Sequence, residues 1–239
     1  KNNILKKNIS NSLIFYGNKG IGKSTFSYYL INQIYNELNK NTNNNHTNLI
    51  YNNTHPNIRI VKKIFDTKTK KLKNYITIDQ IRKIENLIYR SSFDNLPKFI
   101  IIDSVNDLNL NSSNALLKIL EEPTNNSYLI LICNHLSQTL PTIRSRCVKF
   151  KFSNLDYNFF KNIIKDHLDL SDDTDIRFLY DLSGSSPGIA INIYNQNIQE
   201  IFENLLIIFK EKKTISTNLY EMSDKVGKFN NEEFDIYLS

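Results

Sequence analysis

Short apolar runs separate longer segments with helical spacing of apolar residues in the first part of the chain. The runs are Leu13–Tyr16, Phe99–Ile102 and Leu129–Cys133, and the second of them closes on Asp103. Continuous apolar runs of this length, without polar alternation, are typical of strands that are buried on both faces of a parallel sheet. We therefore predict an α/β fold around a parallel sheet.

The segments between these runs carry the signals of helices. Thr77 and Gln80 have the spacing of a capping box, and isoleucines then recur on one face as far as Tyr89. Alternation of strands with helices of this kind indicates a doubly wound sheet. The predicted helices run from Ser24 to Leu38, from Thr77 to about Tyr89, and from a cap at Asn111 or Ser112 to the residue before Pro123.

Two segments are predicted to lie outside this regular pattern. Residues 36–57 are rich in asparagine, which favours loops, and we expect a mobile surface insertion there. Residues 58–65 and 72–76 flank a lysine-rich stretch, which predicts a hairpin. Its lysines are either DNA phosphate contacts or simply solvated, and the pattern does not decide between the two: Lys68, Lys70, Lys71 and Lys73.

The character of the chain changes after Phe152. Residues 157–168 and 176–182 are predicted helices, and a turn at 184–188 leads into the apolar segment 189–194, so we predict a small helical domain. Another helix is predicted to start at residues 201–210, ahead of a polar remainder.

Composition restricts the partners and the compartment. Lys and Arg outnumber Asp and Glu by 30 to 24, a net charge of +6 that permits contact with nucleic acid but is too small for a dedicated binding patch. Cys133 and Cys147 are expected to be buried free thiols in a reducing cytosol. No apolar stretch approaches the roughly 18 residues of a membrane span, so we expect a soluble cytoplasmic protein. Because the chain begins at Lys1 rather than Met, we also expect an upstream segment to be missing.

A phosphate-binding motif follows the first predicted strand. Residues 17–24 match GxxxxGK[ST], between a predicted strand and a predicted helix. Glycines let successive N–H groups turn inward toward phosphate oxygens, and the following helix adds its positive end. Lys23 is predicted to reach the outer phosphates and Ser24 to hold Mg²⁺. The predicted nucleotide-binding residues of this segment are Gly17, Asn18, Lys19, Gly20, Ile21, Gly22, Lys23, Ser24 and Thr25.

The site nevertheless lacks a residue for efficient hydrolysis. Asp103 is placed to order the water shell of Mg²⁺, but the next residue is Ser104, whose hydroxyl is too weak a base to activate water. Asp107 is predicted to be an exposed loop acid. Nucleotide binding is therefore better supported than turnover.

Two further strings carry a family resemblance. The helix Asn114–Pro123 has the sequence NALLKILEEP, and the later segment Leu140–Cys147 has LPTIRSRC. With the phosphate loop, these strings resemble the delta-prime subunits of bacterial DNA polymerase III clamp loaders, which belong to the AAA+ class. The resemblance implies that Arg146 is an arginine finger for the nucleotide of a neighbouring subunit, and that Asn134 is the polar sensor of the γ-phosphate.

The resemblance also predicts domains, partners and cofactors. It implies an AAA+ P-loop domain at residues 1–152, a helical lid at 153–197, and the beginning of a helical collar at 198–239. The expected partners are other clamp-loader subunits in a hetero-oligomeric ring and, through the complex, the sliding clamp and primed DNA. ATP or ADP with Mg²⁺ is the expected cofactor.

Two departures from the family pattern set this chain apart from the motor subunits. The segment in which those subunits carry a cysteine zinc module has His46 and His55 but no cysteine, so we predict no zinc. The turn Gly184–Gly188 is followed by Ile189 in place of the usual lid arginine.

Two alternatives to the clamp-loader function stay open. One is a self-sufficient P-loop enzyme, either an AAA+ ATPase or a nucleotide kinase, and the other is a scaffold with a vestigial loop.

Overall fold

The computed structural model describes residues 10–38, 46–66, 70–90, 92–122, 126–170 and 172–196. The chain forms two compact units. Of the described residues, the first comprises those within 10–18 and 22–153, and the second comprises Lys19–Ile21 with those within 154–196. Among the described residues, no helix is both long and apolar enough to cross a bilayer.

The first unit is built on a parallel sheet of five strands, in the order β2-β5-β6-β1-β7. A small antiparallel pair, β3 with β4, lies outside this sheet. The predicted α/β fold with a parallel sheet is confirmed. The strands are β1 (Ser12–Tyr16), β2 (Ile58–Val61), β3 (Phe65–Asp66), β4 (Lys71–Leu72), β5 (Lys98–Asp103), β6 (Ser127–Cys133) and β7 (Val148–Lys151).

Helices of the first unit pack on both faces of the sheet. On one face, Ile100 and Leu129 lie in a core with Ile84 of α3 and Leu116 of α4, and on the other, Ile101 packs with residues of α1. Both faces of the central strands are thus buried, which explains their uninterrupted apolar sequence. The helices of this unit are α1 (Lys23–Leu38), α2 (His46–Tyr51), α3 (Ile78–Tyr89), α4 (Leu110–Glu121) and α5 (Pro141–Ser145).

The asparagine-rich segment corrects one prediction. Its described part contains the helix α2, in which His46 and Ile50 are buried. Nδ1 of His46 lies 3.0 Å from Nε2 of His55, and the ring of His55 packs on Tyr35 at a centroid distance of 4.8 Å. The described residues 46–57 are therefore not all loop, because they include a packed helix and buried side chains. The propensity of asparagine for loops is overridden there by tertiary packing of a few large side chains.

The predicted hairpin is wrong in its first arm. Residues 58–61 form β2, which pairs in parallel with β5 at the edge of the main sheet. Only the pairs Phe65↔Leu72 and Asp66↔Lys71 form a hairpin ladder. Of its predicted turn, residues 67–69, and with them Lys68, lie outside the described residues.

Two local boundaries also differ from prediction. The cap of α4 is Asn109, whose side chain accepts from the Ser112 N–H, and not Asn111 or Ser112. Residues 141–145, for which the sequence pattern predicted no helix, form the short helix α5 with Pro141 in its first turn. Proline has a fixed φ that suits the start of a helix, so the Leu-Pro sequence begins a helix here. Pro123 lies outside the described residues.

The second unit, as far as residue 196, contains the helices α6 (Tyr157–His167), α7 (Asp173–Leu182) and α8 (Pro187–Asn195). Their apolar faces form a separate core that includes Phe160, Ile164 and Leu179. Within this unit, the Gly188 N–H donates to the Gly20 carbonyl at 2.9 Å. The helix predicted at 201–210 and the predicted region 198–239 lie outside the described residues. The division into domains at 1–152, 153–197 and 198–239 remains our proposal.

Candidate nucleotide-binding site

The predicted phosphate loop connects the end of β1 to the start of α1. The Gly17 N–H donates to the Cys133 carbonyl at the end of β6, at 3.2 Å. Gly17 has φ +152°, and a Cβ atom on it would lie 2.3 Å from the Phe152 carbonyl oxygen. A side chain at this position would collide with the backbone, so glycine is required where the chain leaves the sheet.

Lys23, the first residue of α1, folds back onto the loop. Its Nζ donates to the carbonyls of Gly17 at 2.8 Å and Asn18 at 2.6 Å, and the residue is 4% exposed. Burial lowers the pKa of Lys23 to about 8, although the nearby Asp103 and Cys133 act in the opposite direction. The charged ammonium form of Lys23 is therefore only moderately favoured over its neutral amine form.

Ser24 and Asp103 are brought together by the fold. Ser24 lies in the first turn of α1, Asp103 ends β5, and the Ser24 hydroxyl donates to Asp103 Oδ2 at 2.7 Å. A hydroxyl and a carboxylate are hard oxygen donors of the kind that Mg²⁺ prefers, and their separation suits neighbouring positions around one ion or its water shell. The donor set therefore fits Mg²⁺.

Ser104, which occupies the position of the expected base, is engaged elsewhere. It is 4% exposed, and its hydroxyl lies 3.2 Å from both the Ile132 carbonyl and Asn106 Oδ1, so its single proton goes to one of these two acceptors. The same oxygen accepts from the Asn106 N–H. Asp107, predicted as an exposed loop acid, is half-buried and forms an ion pair with Lys63 at 3.4 Å. The described bonds thus engage both side chains with groups outside the phosphate loop.

Asn134 lies directly after β6, next to the residue that accepts the Gly17 N–H. Its backbone N–H and that of His135 are both bonded to Oδ1 of Asn106, at 2.8 and 3.2 Å. The sequence singled out Asn134 but not Asn106. The only sequence signal for Asn106 is a polar amide shortly after a buried strand, which is common in loops.

Arg146 has hydrogen-bond partners outside the phosphate loop. It follows α5, is 36% exposed in its side chain, and donates through Nη2 to Glu121 at 2.8 Å and through Nη1 to the Thr142 carbonyl at 3.0 Å. These described bonds do not go to the phosphate loop. The structure thus brings together Lys23, Ser24 and Asp103, and it leaves Arg146 on the surface beside Glu121.

Comparison with known proteins places this arrangement in a family. The family model described as "DNA polymerase III, delta subunit" matches residues 1–156, which is more than half of the chain. The chain belongs to this family. The resemblance to clamp-loader AAA+ subunits that the sequence motifs indicate is thereby confirmed.

Individual relatives of this DNA polymerase III delta family member carry consistent names. The chain is 34% identical to the DNA polymerase III subunit gamma of Buchnera aphidicola subsp. Schizaphis graminum over 120 residues, which are 48% of this chain and 33% of the relative. It is 38% identical to the DNA polymerase III subunit delta' of Pseudomonas aeruginosa over 74 residues, 31% of this chain and 23% of the relative. The matched part thus spans a third or less of each of these relatives.

A solved structure has the same fold. The crystal structure of a DNA polymerase III gamma subunit-related protein from Thermotoga maritima superimposes with a TM-score of 0.54 at 18% identity. The superposition covers 98% of this chain and 74% of that chain. At this identity the likeness concerns the fold, and it agrees with the AAA+ P-loop fold predicted from the sequence.

Proposed function

We propose that this chain is a clamp-loader subunit that helps ATP-dependent loading of a sliding clamp onto primed DNA. The observation that carries the proposal is the phosphate loop with Ser24 bonded to Asp103, next to a buried Ser104 that is bonded to backbone groups. This combination favours a protein that binds nucleotide and turns it over poorly by itself. Membership of the DNA polymerase III delta family supports the clamp-loading role.

The proposed ligand is ATP or ADP with Mg²⁺. The Lys23 ammonium and backbone N–H groups of residues 17–25, other than that of Gly17, which donates to the Cys133 carbonyl, bind its phosphates. Ser24 holds the ion directly and Asp103 holds it through water. The nucleotide supplies the phosphoryl group and the negative charge that these groups are arranged to bind. Asn134, at the end of β6, is the proposed sensor of the γ-phosphate.

Arg146 is proposed to act on the nucleotide of a neighbouring subunit. Its guanidinium is exposed at the end of α5, and a planar group with several donors suits phosphoryl oxygens that gain charge during transfer. Glu121 is then the partner that holds this side chain before the neighbour is engaged. The proposed setting is a hetero-oligomeric ring of clamp-loader subunits in the cytoplasm, which contacts clamp and primed DNA.

The alternative is a self-sufficient P-loop enzyme, and it keeps the same nucleotide site. An independent ATPase needs a base beside Asp103, and Ser104 with Asp107 gives no support for one. A nucleotide kinase needs an arginine-bearing lid, and the segment after Gly188 starts with Ile189.

The test is ATP hydrolysis by a reconstituted assembly with Arg146→Ala. The assembly contains motor subunits from the same source, clamp and primed DNA, and hydrolysis is measured in a single turnover with matched subunit incorporation. At the site that this chain serves, we expect the rate to fall by at least about tenfold, because arginine fingers contribute factors of a thousand or more in related phosphoryl transfers.

Two variants control for simpler effects. Arg146→Lys keeps one positive charge but loses the planar fork, so it should remain well below the wild-type rate. Lys149→Ala removes an exposed cation from the adjacent strand β7 and should leave hydrolysis unchanged. If Arg146→Ala hydrolyses ATP at the wild-type rate in fully assembled complexes, the finger role is wrong.

A further inference from the structure

Asn106 connects the ends of two neighbouring strands through a single side chain. Its Oδ1 accepts from the backbone N–H groups of Asn134 at 2.8 Å and His135 at 3.2 Å. Its Nδ2 donates to the His135 carbonyl at 2.8 Å. An amide side chain is the neutral group that offers an acceptor and donors together, which is what the three bonds require.

The backbone of Asn106 is itself held in place. Its N–H donates to the Ser104 hydroxyl at 3.2 Å, and that hydroxyl also lies 3.2 Å from the Ile132 carbonyl in β6. Ser104 is buried and follows Asp103 directly in the chain. Ser104 thus contacts Asn106 both at its backbone N–H and, also at 3.2 Å, at its Oδ1.

The same backbone borders the phosphate loop. Cys133, the residue before Asn134, accepts the Gly17 N–H at 3.2 Å, and Asp103 accepts the Ser24 hydroxyl at 2.7 Å. Hydrogen bonds therefore connect the chain at the end of β6 to the phosphate loop and to the turn after β5. The backbone of Asn134 lies between these two attachments, one through Cys133 and the other through the Asn106 amide.

We propose that Asn106 is a positioning residue for Asn134, and that it sets how well the site distinguishes a nucleoside triphosphate from a diphosphate. This rests on the proposed nucleotide-binding function. The loss of the Asn106 amide leaves the N–H groups of Asn134 and His135 without their acceptor, so the turn after β6 rearranges. The Asn134 side chain then loses its fixed approach to the outermost phosphate, whereas the inner phosphates remain bound by the loop.

The experiment measures binding of Mg-ATPγS and Mg-ADP to the full chain by calorimetry. The variants are Asn106→Ala, Asn134→Ala and the double variant. We expect Asn106→Ala to weaken ATPγS binding by at least about tenfold and ADP binding by less than about threefold, and Asn134→Ala to do the same. The double variant should bind ATPγS no more weakly than the weaker single variant, because both changes remove one shared interaction.

Asn109→Ala is the matched control. Asn109 is also an asparagine shortly after β5, and its side chain caps α4 by accepting from the Ser112 N–H at 2.9 Å. Its loss should lower thermal stability without changing the ratio of the ATPγS and ADP affinities. All binding is measured at a temperature at which every variant is folded.

The outcomes separate this proposal from the one on which it rests. If Asn106→Ala weakens ATPγS and ADP equally, or if its effect simply adds to that of Asn134→Ala, the positioning role is wrong even though the site binds nucleotide. If the wild-type chain binds neither nucleotide, or if Lys23→Ala binds both as well as the wild type, the proposed nucleotide function fails and the role of Asn106 fails with it.

Discussion

At the scale of single residues, Lys23 is the most perturbed group of the candidate site. Desolvation lowers its pKa to about 8, and the ammonium is bonded to two loop carbonyls that lie among the N–H groups of the same turn. A lysine on the surface would remain charged to above pH 10. Because its ammonium group is buried, Lys23 holds its proton more weakly in the free protein than an exposed lysine does.

This pKa predicts how nucleotide affinity depends on pH. Phosphate binds to the charged form of Lys23, so above pH 8 binding must take up a proton that the free protein has lost. The affinity for Mg-ADP should therefore decrease as the pH rises. It should be nearly constant below about pH 7.5 and fall by up to about tenfold for each pH unit above 8. Calorimetry at pH 7, 8, 9 and 9.5, in buffers of different ionisation enthalpy, measures both the affinity and the proton uptake.

Lys23→Ala is the control for this pH dependence. The variant should bind more weakly, with no proton uptake attributable to the site and no decline above pH 8. A wild-type affinity that stays constant to pH 9.5 would mean that Lys23 retains its proton in the free protein or does not contact phosphate.

At the scale of elements, the strands that run through the middle of the sheet were the easiest to predict. Ile100, Ile101 and Ile102 alternate between the two cores, so the sequence is apolar at every position and admits few alternatives. The edge strand β2 has only Val61 buried, and its sequence does not differ from that of a hairpin arm. Its partner, β5, is about 40 residues away in the chain, and local patterning contains no information on that pairing.

The residues of the candidate site also differ in how well they could be predicted from the sequence. The proximity of Lys23, Ser24 and Asp103 was predictable, because the motif that is typical of phosphate and Mg²⁺ sites places fixed residue types at fixed distances from a strand end. Asn106 was not predictable, because its function depends on backbone groups of a different strand and requires no motif. The family resemblance also suggested a role for Arg146. Its ion pair with Glu121 was not predictable from the sequence, because the fold brings the two residues together.

The asparagine-rich segment makes a prediction at this scale. Asn57 is buried, and its side chain donates to the Phe93 carbonyl and accepts from the Phe93 N–H, each at 2.8 Å. Asn57→Ala leaves both backbone groups of Phe93 without this partner, and we expect the free energy of unfolding to fall by about 1–3 kcal/mol. Urea unfolding followed by circular dichroism measures this, since the chain has no tryptophan.

Asn52→Ala is the matched control in the same segment. Asn52 is exposed, and substitutions at such positions usually change stability by no more than about 0.5 kcal/mol. Equal stabilities of the two variants would show that Asn57 is no more important than its exposed neighbours. A large difference would show that asparagine in this segment has two physical roles, one in solvated turns and one in connecting α2 and β2 to the chain around Phe93.

At the scale of the whole molecule, the central question is whether the chain is sufficient for turnover. Asp103 is bonded to Ser24, Asp107 is paired with Lys63, and Ser104 is buried against β6. The described contacts thus engage each of these three side chains. The exposed guanidinium of Arg146 is instead paired with Glu121 on another part of the unit. In the proposed function, the groups for nucleotide binding and for stimulating hydrolysis lie at separate places in the chain, and an assembly of subunits brings them together.

This separation predicts that the isolated chain binds Mg-ATP without hydrolysing it efficiently. Typical enzymes turn over at about 1–1000 per second, and we expect a rate below about 0.01 per second at saturating ATP, because binding alone does not activate water. The measurement is phosphate release by the purified chain, with Lys23→Ala to define the background from contaminating ATPases. Hydrolysis above 1 per second that disappears in Lys23→Ala would favour the self-sufficient enzyme. A slow rate that stays slow in Arg146→Ala, while the same variant impairs the reconstituted assembly, would assign binding to this chain and turnover to its neighbour.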